Sequence, residues 1–296
     1  MNPLWVLLPI ALYLAALIGT LFIARYLRRT RWPFKEEDRL LRAPGESLQK
    51  EVRRLDESFL FEFLGGVAGA VVVIPASLAA VRIFRLPSDQ TWVVAAGLLG
   101  GLTVMSIVRI LILWKRRQAY HLGWFGERIV AEKLAPLRFA GWRTFHDVPF
   151  VNNGRTFNID HVVVGEGGLF VIETKARRKG GGPRGSSGDE VEFDGHALHW
   201  PRKKNDVKGL DQAERNAATL SKWLEGEIGQ VITATPILVI PGWSLKFTGK
   251  PGQRPCRVES ANWIQKTFKD CPPRLTKQTA DLIALRLLAK CRDVQD

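Results

Sequence analysis

The distribution of apolar residues divides the chain into a strongly apolar N-terminal part and a mixed remainder. Residues 3–24 form an uncharged apolar run, and two further runs cover 63–81 and 91–114. A helix needs about 20 such residues to cross the hydrocarbon core of a bilayer. The pattern therefore predicts a membrane region over 1–117 that contains three transmembrane helices.

Basic residues set the predicted orientation of this membrane region. The loop 25–58 carries ten Lys or Arg residues, whereas the loop 82–90 carries two. Because cytoplasmic loops are enriched in Lys and Arg, we expect an N-terminus outside the cell (inner) membrane and a cytoplasmic chain from residue 115 onward. A two-span protein behind a cleaved leader is the alternative, and it leaves the C-terminal part on the same side.

Glycines in the second and third apolar runs fit the GxxxG pattern, at Gly65/Gly69 and at Gly97/Gly101. Small residues at this spacing allow helix backbones to approach closely in a bilayer. They predict a packed hairpin of the two helices and, between chains, a homo-oligomer through the same helices.

After residue 115 the apolar pattern changes between helical and strand periodicity. It predicts helices over 121–137, 209–225 and 275–292, strands over 142–150, 157–164, 169–175 and 231–240, and a short hairpin over 190–200. The glycine-rich stretch 179–190 has the composition of a loop. This succession predicts an α/β core, in which a central mixed sheet is flanked by helices.

Charge and cysteine content narrow the class of protein. The 296 residues carry a formal net charge of +14, and residues 115–296 alone hold 30 Lys/Arg against 20 Asp/Glu. This basic excess is larger than membrane topology requires, and it favours a phosphate-bearing partner. The three cysteines form no CxxC or Cys/His cluster, which indicates reduced thiols and argues against a disulfide framework or a zinc site.

The predicted hairpin 157–175 brings two carboxylates together. A symmetric turn at 165–168 pairs positions whose numbers sum to 333, so Asp160 falls opposite Glu173. Lys175 then lies two residues further along the same face. Opposed acids on a sheet repel each other, and a divalent cation that bridges them would relieve the repulsion. A solvated salt bridge at the sheet end and a bulge that separates the acids are the alternatives.

The order D-x12-E-x-K, together with the segments GWFGERIVAEKL and NIDHVVVGEGGLFVIETKA and a later W…Q region, resembles the NERD, or nuclease-related, domain. This family belongs to the PD-(D/E)XK superfamily, so the resemblance implies a restriction-endonuclease-like core preceded by the α-helical membrane region. It covers about 121–225. We expect a nuclease-like domain over 118–240 and a C-terminal extension over 241–296 packed on it. The chain departs from the family pattern at Asn205-Asp206, where an Asn-Pro pair is expected.

The resemblance implies a nuclease that depends on Mg²⁺ or Mn²⁺. It places Asp160, Glu173 and Glu127 at the metal, where the ion would activate a water molecule. Lys175 would orient that water or stabilise charge on phosphorus, and Gln212 would position water or backbone. Basic residues that follow the core are candidates for binding the backbone phosphates of nucleic acid, with DNA as the favoured substrate: Arg177, Arg178, Lys179, Arg184, Arg202, Lys203 and Lys204.

Two alternatives retain the fold without catalysis. One is a membrane-tethered module with an inactive nuclease fold that binds nucleic acid or signals. The other is an interaction scaffold in which the loop 25–58 does the work, because its arginines suit anionic lipid headgroups. His146 and His161 are expected to be structural.

Overall fold

The computed structural model describes residues 19, 40–84, 88–152, 154–179, 189–201, 203–249, 254–269 and 271–292. The chain divides into two compact units. Unit 1 comprises Met1–Asp38 and Arg53–Gln118, and unit 2 comprises Arg39–Val52 and Ala119–Asp296. Apart from Gly19, the predicted span 3–24 lies outside the described residues.

Two long helices run through the N-terminal half: α1 is Glu46–Phe84 and α2 is Ser88–Leu134. Within the described part of the chain, neither these nor any other helix combines the length and the hydropathy that crossing a membrane requires. The predicted spans 63–81 and 91–114 are therefore not supported there. The helix predicted over 121–137 is the C-terminal part of α2, followed by a 3-10 helix, Ala135–Ala140.

Within unit 1, the predicted GxxxG pairs do not form the close contact. A Cβ added to Gly65, Gly69, Gly97 or Gly101 would meet no described atom within 4 Å. The register instead brings Gly66 toward Ser106, whose Oγ would lie 3.5 Å from a Cβ added to the glycine. Ion pairs from Arg109 to Glu62, at 3.4 Å, and from Arg117 to Asp56 join the two helices.

Unit 2 is built on a five-stranded mixed sheet in the order β1-β2-β3-β7-β9. Three antiparallel strands begin it, and two strands parallel to β3 complete it. Their bounds are β1 Arg143–Asn152, β2 Arg155–Gly165, β3 Gly168–Thr174, β7 Ala234–Ile240 and β9 Arg257–Ser260. The predicted mixed α/β fold with a central sheet is confirmed.

A second sheet, in the order β6-β5-β4-β8, extends the predicted hairpin 190–200. Its strands are β4 Glu190–Phe193, β5 Leu198–Trp200, β6 Lys203–Asp206 and β8 Ser244–Phe247. The remaining helices are α3 Lys208–Ile228, α4 Lys266–Lys269 and α5 Lys277–Lys290. The described residues between 241 and 292 thus supply two strands and two helices to unit 2.

Helices cover both faces of the five-stranded sheet. Leu220 of α3 and Ile283 of α5 pack in one apolar cluster with Val171 of β3, whereas Val130 of α2 packs in another with Ile172. Neighbouring residues of β3 therefore face opposite helical layers, which explains its uninterrupted apolar sequence. This packing brings polar side chains of α2 and α3 to the end of β3.

Candidate active site

The site forms where β2 and β3 separate. Their ladder has the predicted register, from Gly165↔Gly168 to His161↔Ile172, and it ends there. At the next level the Asp160 carboxylate accepts a hydrogen bond from the Thr174 backbone N–H at 2.7 Å. On its other edge, β3 pairs with β7, and there Glu173 lies beside Leu238. The expected pair of Asp160 and Glu173 therefore does not belong to the hydrogen-bonded ladder, because a side chain and not the backbone accepts the Thr174 N–H.

β1 and β2 are both irregular at this same level. Phe145 and Val148 contact one core cluster, although residues three apart on a regular strand face opposite sides. Ile159 and Val162 show the same behaviour on β2. Such paired irregularities re-aim side chains, as bulges do beside functional sites.

Glu173 and Lys175 are held by helix α3. The Glu173 carboxylate, 2% exposed, accepts a hydrogen bond from Asn216 Nδ2 at 3.1 Å and lies 3.7 Å from Lys175 Nζ. Lys175 Nζ also donates to Gln212 Oε1 at 3.3 Å. Because Gln212 and Asn216 are one helical turn apart, they share the face of α3 that meets the end of β3.

Glu127 enters the site from helix α2, whose close packing depends on glycine. A Cβ added to Gly126 would lie 2.6 Å from Ala176 Cβ, just beyond the end of β3. The absence of a side chain at this position lets the helix approach the strand. The next residue, Glu127, is then 6% exposed and within electrostatic reach of Asp160.

The three carboxyl groups resist ionisation together. Burial, and then the charges of Asp160, Asp147 and Glu173, raise the pKa of Glu127 to about 10. Burial raises the pKa of Asp160 to about 7, against the opposing effects of the Thr174 N–H and Lys175. Burial and the charge of Asp160 raise the pKa of Glu173 well above its ordinary value. A site that accumulates this much unneutralised negative charge favours protons or a cation.

These oxygens are the donors that a hard divalent cation prefers. Among the described residues, however, no group of three or more His, Cys, Asp or Glu side chains is gathered closely enough to form a ready metal cluster. The donor chemistry of Asp160, Glu173 and Glu127 thus fits Mg²⁺, whereas their present spacing does not enclose it.

The predicted phosphate-binding residues are only partly described. Arg177 pairs with Asp206 and lies over the Trp200 ring, 4.8 Å from its centroid. Lys179 pairs with Asp189 at 3.2 Å. Arg178 is exposed. Arg184 and Arg202 lie outside the described residues, and of Lys203 and Lys204 only the β6 backbone is described. A role in phosphate binding stays a prediction for all seven.

Sequence reasoning missed three residues at this site. Asn216 holds Glu173, and its position four residues after Gln212 is the signal that would have found it. Arg215 is exposed, and its charge lowers the pKa of Glu173. Asp147 is 1% exposed and raises the pKa of Glu127. Asn216 thus adds an amide that holds Glu173, Arg215 adds an exposed guanidinium group, and Asp147 adds a fourth acid to the site.

Two other features lie apart from this chemistry. His146 and His161 place their Nδ1 atoms 2.8 Å apart, and burial lowers the pKa of both imidazoles. A cavity of about 620 Å³ lies at the turn between β2 and β3, and its lining includes Trp142, Glu166 and Lys269. The acids Glu127, Asp147, Asp160 and Glu173 do not line it.

Comparison with known families gives a match over this part of the chain. Residues 122–241 match the model of the nuclease-related domain, NERD. The matched range contains Glu127, Asp160, Glu173, Lys175 and Gln212, so the resemblance seen in the sequence is confirmed over this range. Neither the curated proteins nor the solved structures contain a match to the chain.

Proposed function

We propose that unit 2 is a metal-dependent nuclease with a restriction-endonuclease-like core, which hydrolyses phosphodiester bonds of nucleic acid. The observation that carries this proposal is a group of three carboxyls with raised pKa values, Glu127, Asp160 and Glu173, inside the range matched by the nuclease-related domain. A fold needs compensation for such mutual repulsion, and a bound cation supplies it.

The contacts of each residue indicate its proposed role. Asp160, Glu173 and Glu127 would hold Mg²⁺ or Mn²⁺, which supplies charge neutralisation and a more acidic water when bound. Lys175 presents an ammonium group beside Glu173, where it stabilises negative charge on a phosphate. Gln212 fixes that ammonium by accepting its hydrogen bond, and Asn216 fixes the Glu173 carboxylate.

The proposed substrate is nucleic acid, with DNA favoured. Residues 115–296 have a net excess of ten basic residues, 30 against 20. Arg178 is exposed and follows Lys175 by three residues in the sequence. Arg215 is also exposed, and it lies close enough to Glu173 for its charge to lower the pKa of that acid. Contacts of this type position the sugar-phosphate backbone without reading bases.

We also propose that the N-terminal region attaches the protein to the cell (inner) membrane, with its N-terminus outside and unit 2 in the cytoplasm. Large apolar side chains on α1 and α2 support this proposal: Phe61 is 72% exposed, Val104 62% and Leu111 51%. Reporters fused after residues 30, 87 and 118 test it, and a reporter on the outer side at 118 contradicts it. A homo-oligomer through these helices stays a prediction.

The nuclease proposal is tested with the full-length chain, labelled DNA and labelled RNA, and added Mg²⁺ or Mn²⁺. We expect cleavage that is lost on chelation and in Glu173→Gln and Lys175→Met. Glu192→Gln is the matched control, because Glu192 is a half-buried acid on the second sheet that pairs with Lys246. Cleavage that survives Glu173→Gln contradicts the proposal. Binding that weakens steeply with salt, without cleavage, favours the inactive nucleic-acid-binding alternative.

A further inference from the structure

Asp147 is a buried acid that lies outside the predicted catalytic set. It follows His146 on β1, with a left-handed φ of 49° that Asp tolerates better than most residues. Its Oδ1 accepts hydrogen bonds from Ser47 Oγ at 2.5 Å and from Asn158 Nδ2 at 3.1 Å. Its Oδ2 accepts from the Ser47 backbone N–H at 3.3 Å and from Arg42 Nη1 at 3.0 Å. Four donors therefore fix this carboxylate.

Three of those four donors come from the segment Arg39–Val52, which precedes the region matched by the nuclease-related domain. The segment is fastened to unit 2 elsewhere as well. The Arg42 backbone N–H donates to the Cys291 carbonyl at 3.0 Å, and Leu41 forms an isolated bridge with Arg292. The segment is thus a structural part of the unit that contains the candidate site.

The same segment lies directly against Glu127. Gly45 has a φ of +68°, and a Cβ added there would lie 2.9 Å from Trp124 Cδ1 and 3.4 Å from Glu127 Oε2. Leu48 packs in the same way on Gly123, one turn earlier on α2. The charge of Asp147 also reaches Glu127, where it opposes ionisation. Contact and charge therefore both link the segment to a proposed metal-binding side chain.

We propose that Asp147 is a positioning residue of the candidate active site, and that Arg42 and Ser47 of the segment Arg39–Val52 are needed to hold it in place. The inference rests on the proposed nuclease function. Asp147 held in this way keeps its carboxylate within electrostatic reach of Glu127, and the segment keeps Gly45 against the Glu127 carboxyl. Outer residues that orient a metal-binding side chain typically change affinity or activity by about 10- to 100-fold.

The test uses the full-length chain with Ser47→Ala, Asp147→Asn and the double variant. Two readouts are measured: the Kd of the metal-free protein for Mn²⁺, by calorimetry, and kcat and KM for DNA cleavage. We expect Ser47→Ala to raise the Mn²⁺ Kd and lower kcat, each by about 10-fold, with KM changed less than about 2-fold. Because Ser47 acts through Asp147, adding Ser47→Ala to Asp147→Asn should have no further effect.

Two controls separate positioning from folding. Ser47→Thr retains the hydroxyl and should restore the Mn²⁺ Kd and kcat. Lys50→Ala changes an exposed residue of the same segment that pairs with Glu46, and it should change neither quantity. If Asp147→Asn does not fold, the comparison of Ser47→Ala with Ser47→Thr tests the positioning role by itself. Wild-type values in Ser47→Ala overturn the inference and leave the nuclease proposal standing. A wild-type chain that neither binds Mn²⁺ nor cleaves nucleic acid overturns the nuclease proposal and, with it, this inference.

Discussion

Replacing Asp160 with asparagine should stabilise the metal-free protein at alkaline pH while it abolishes cleavage. Burial raises the pKa of Asp160 from its ordinary 3.8 to about 7 in the folded chain. Between these values the folded state binds more protons than the unfolded state. The free energy of unfolding therefore falls as pH rises through this window, and the contribution of Asp160 is lost above pH 7.

The size of the effect follows from that shift. About three pKa units correspond to about 4 kcal/mol, at 1.36 kcal/mol per unit. The charge of Asp160 also raises the pKa values of Glu127 and Glu173, so its removal relieves these acids too. The amide N–H donors of a desolvated asparagine offset about 1–3 kcal/mol of the gain. The asparagine carbonyl oxygen retains the acceptor for the Thr174 N–H. We expect a gain of about 1–3 kcal/mol at pH 8 that disappears near pH 4.

Urea unfolding of the full-length chain in chelator, at pH 4 and pH 8, measures this difference. Asp194→Asn is a control with the opposite sign, because hydrogen bonds from His199, Ala197 and His196 lower the pKa of Asp194. That substitution should destabilise the chain at pH 8. An Asp160→Asn variant that is less stable than wild type at pH 8, or whose gain persists at pH 4, would refute electrostatic conflict at the site.

Three further substitutions test the surroundings of the site. Arg215→Gln should raise KM for DNA and reduce the slope of log KM against log salt by about 1, which a salt series measures; an unchanged slope contradicts a phosphate contact. Asn216→Ala should lower kcat by about 10-fold and stability by about 1–3 kcal/mol, because the Glu173 carboxylate loses its donor; wild-type kcat argues against this role. Gly126→Ala should cost about 1–3 kcal/mol through its contact with Ala176, whereas Gly226→Ala, in open space on α3, should stabilise by about 0.5–1 kcal/mol in the same thermal melts.

The sequence alone was sufficient to predict the hairpin at the centre of unit 2. Alternation and a glycine-rich turn predicted strands over 157–164 and 169–175, and the observed ladder keeps the register in which paired numbers sum to 333. Both signals are local, since side-chain direction alternates along a strand and loop length sets the register of a hairpin. For the same reason, the sequence predicted that Asp160 lies on one strand of the hairpin and that Glu173 and Lys175 lie on or next to the other.

Only the tertiary structure showed how that hairpin becomes a site. The ladder ends one residue before the predicted pair, and there the Asp160 side chain accepts the Thr174 N–H. On the other edge of β3, Glu173 pairs with β7, a strand that follows more than 50 residues later. The contact between Ser47 and Asp147 spans 100 residues of sequence. No periodicity records such contacts, because they depend on how helices and a preceding segment pack on the sheet. The sequence thus determined which acids could act together, and long-range packing decided what surrounds them.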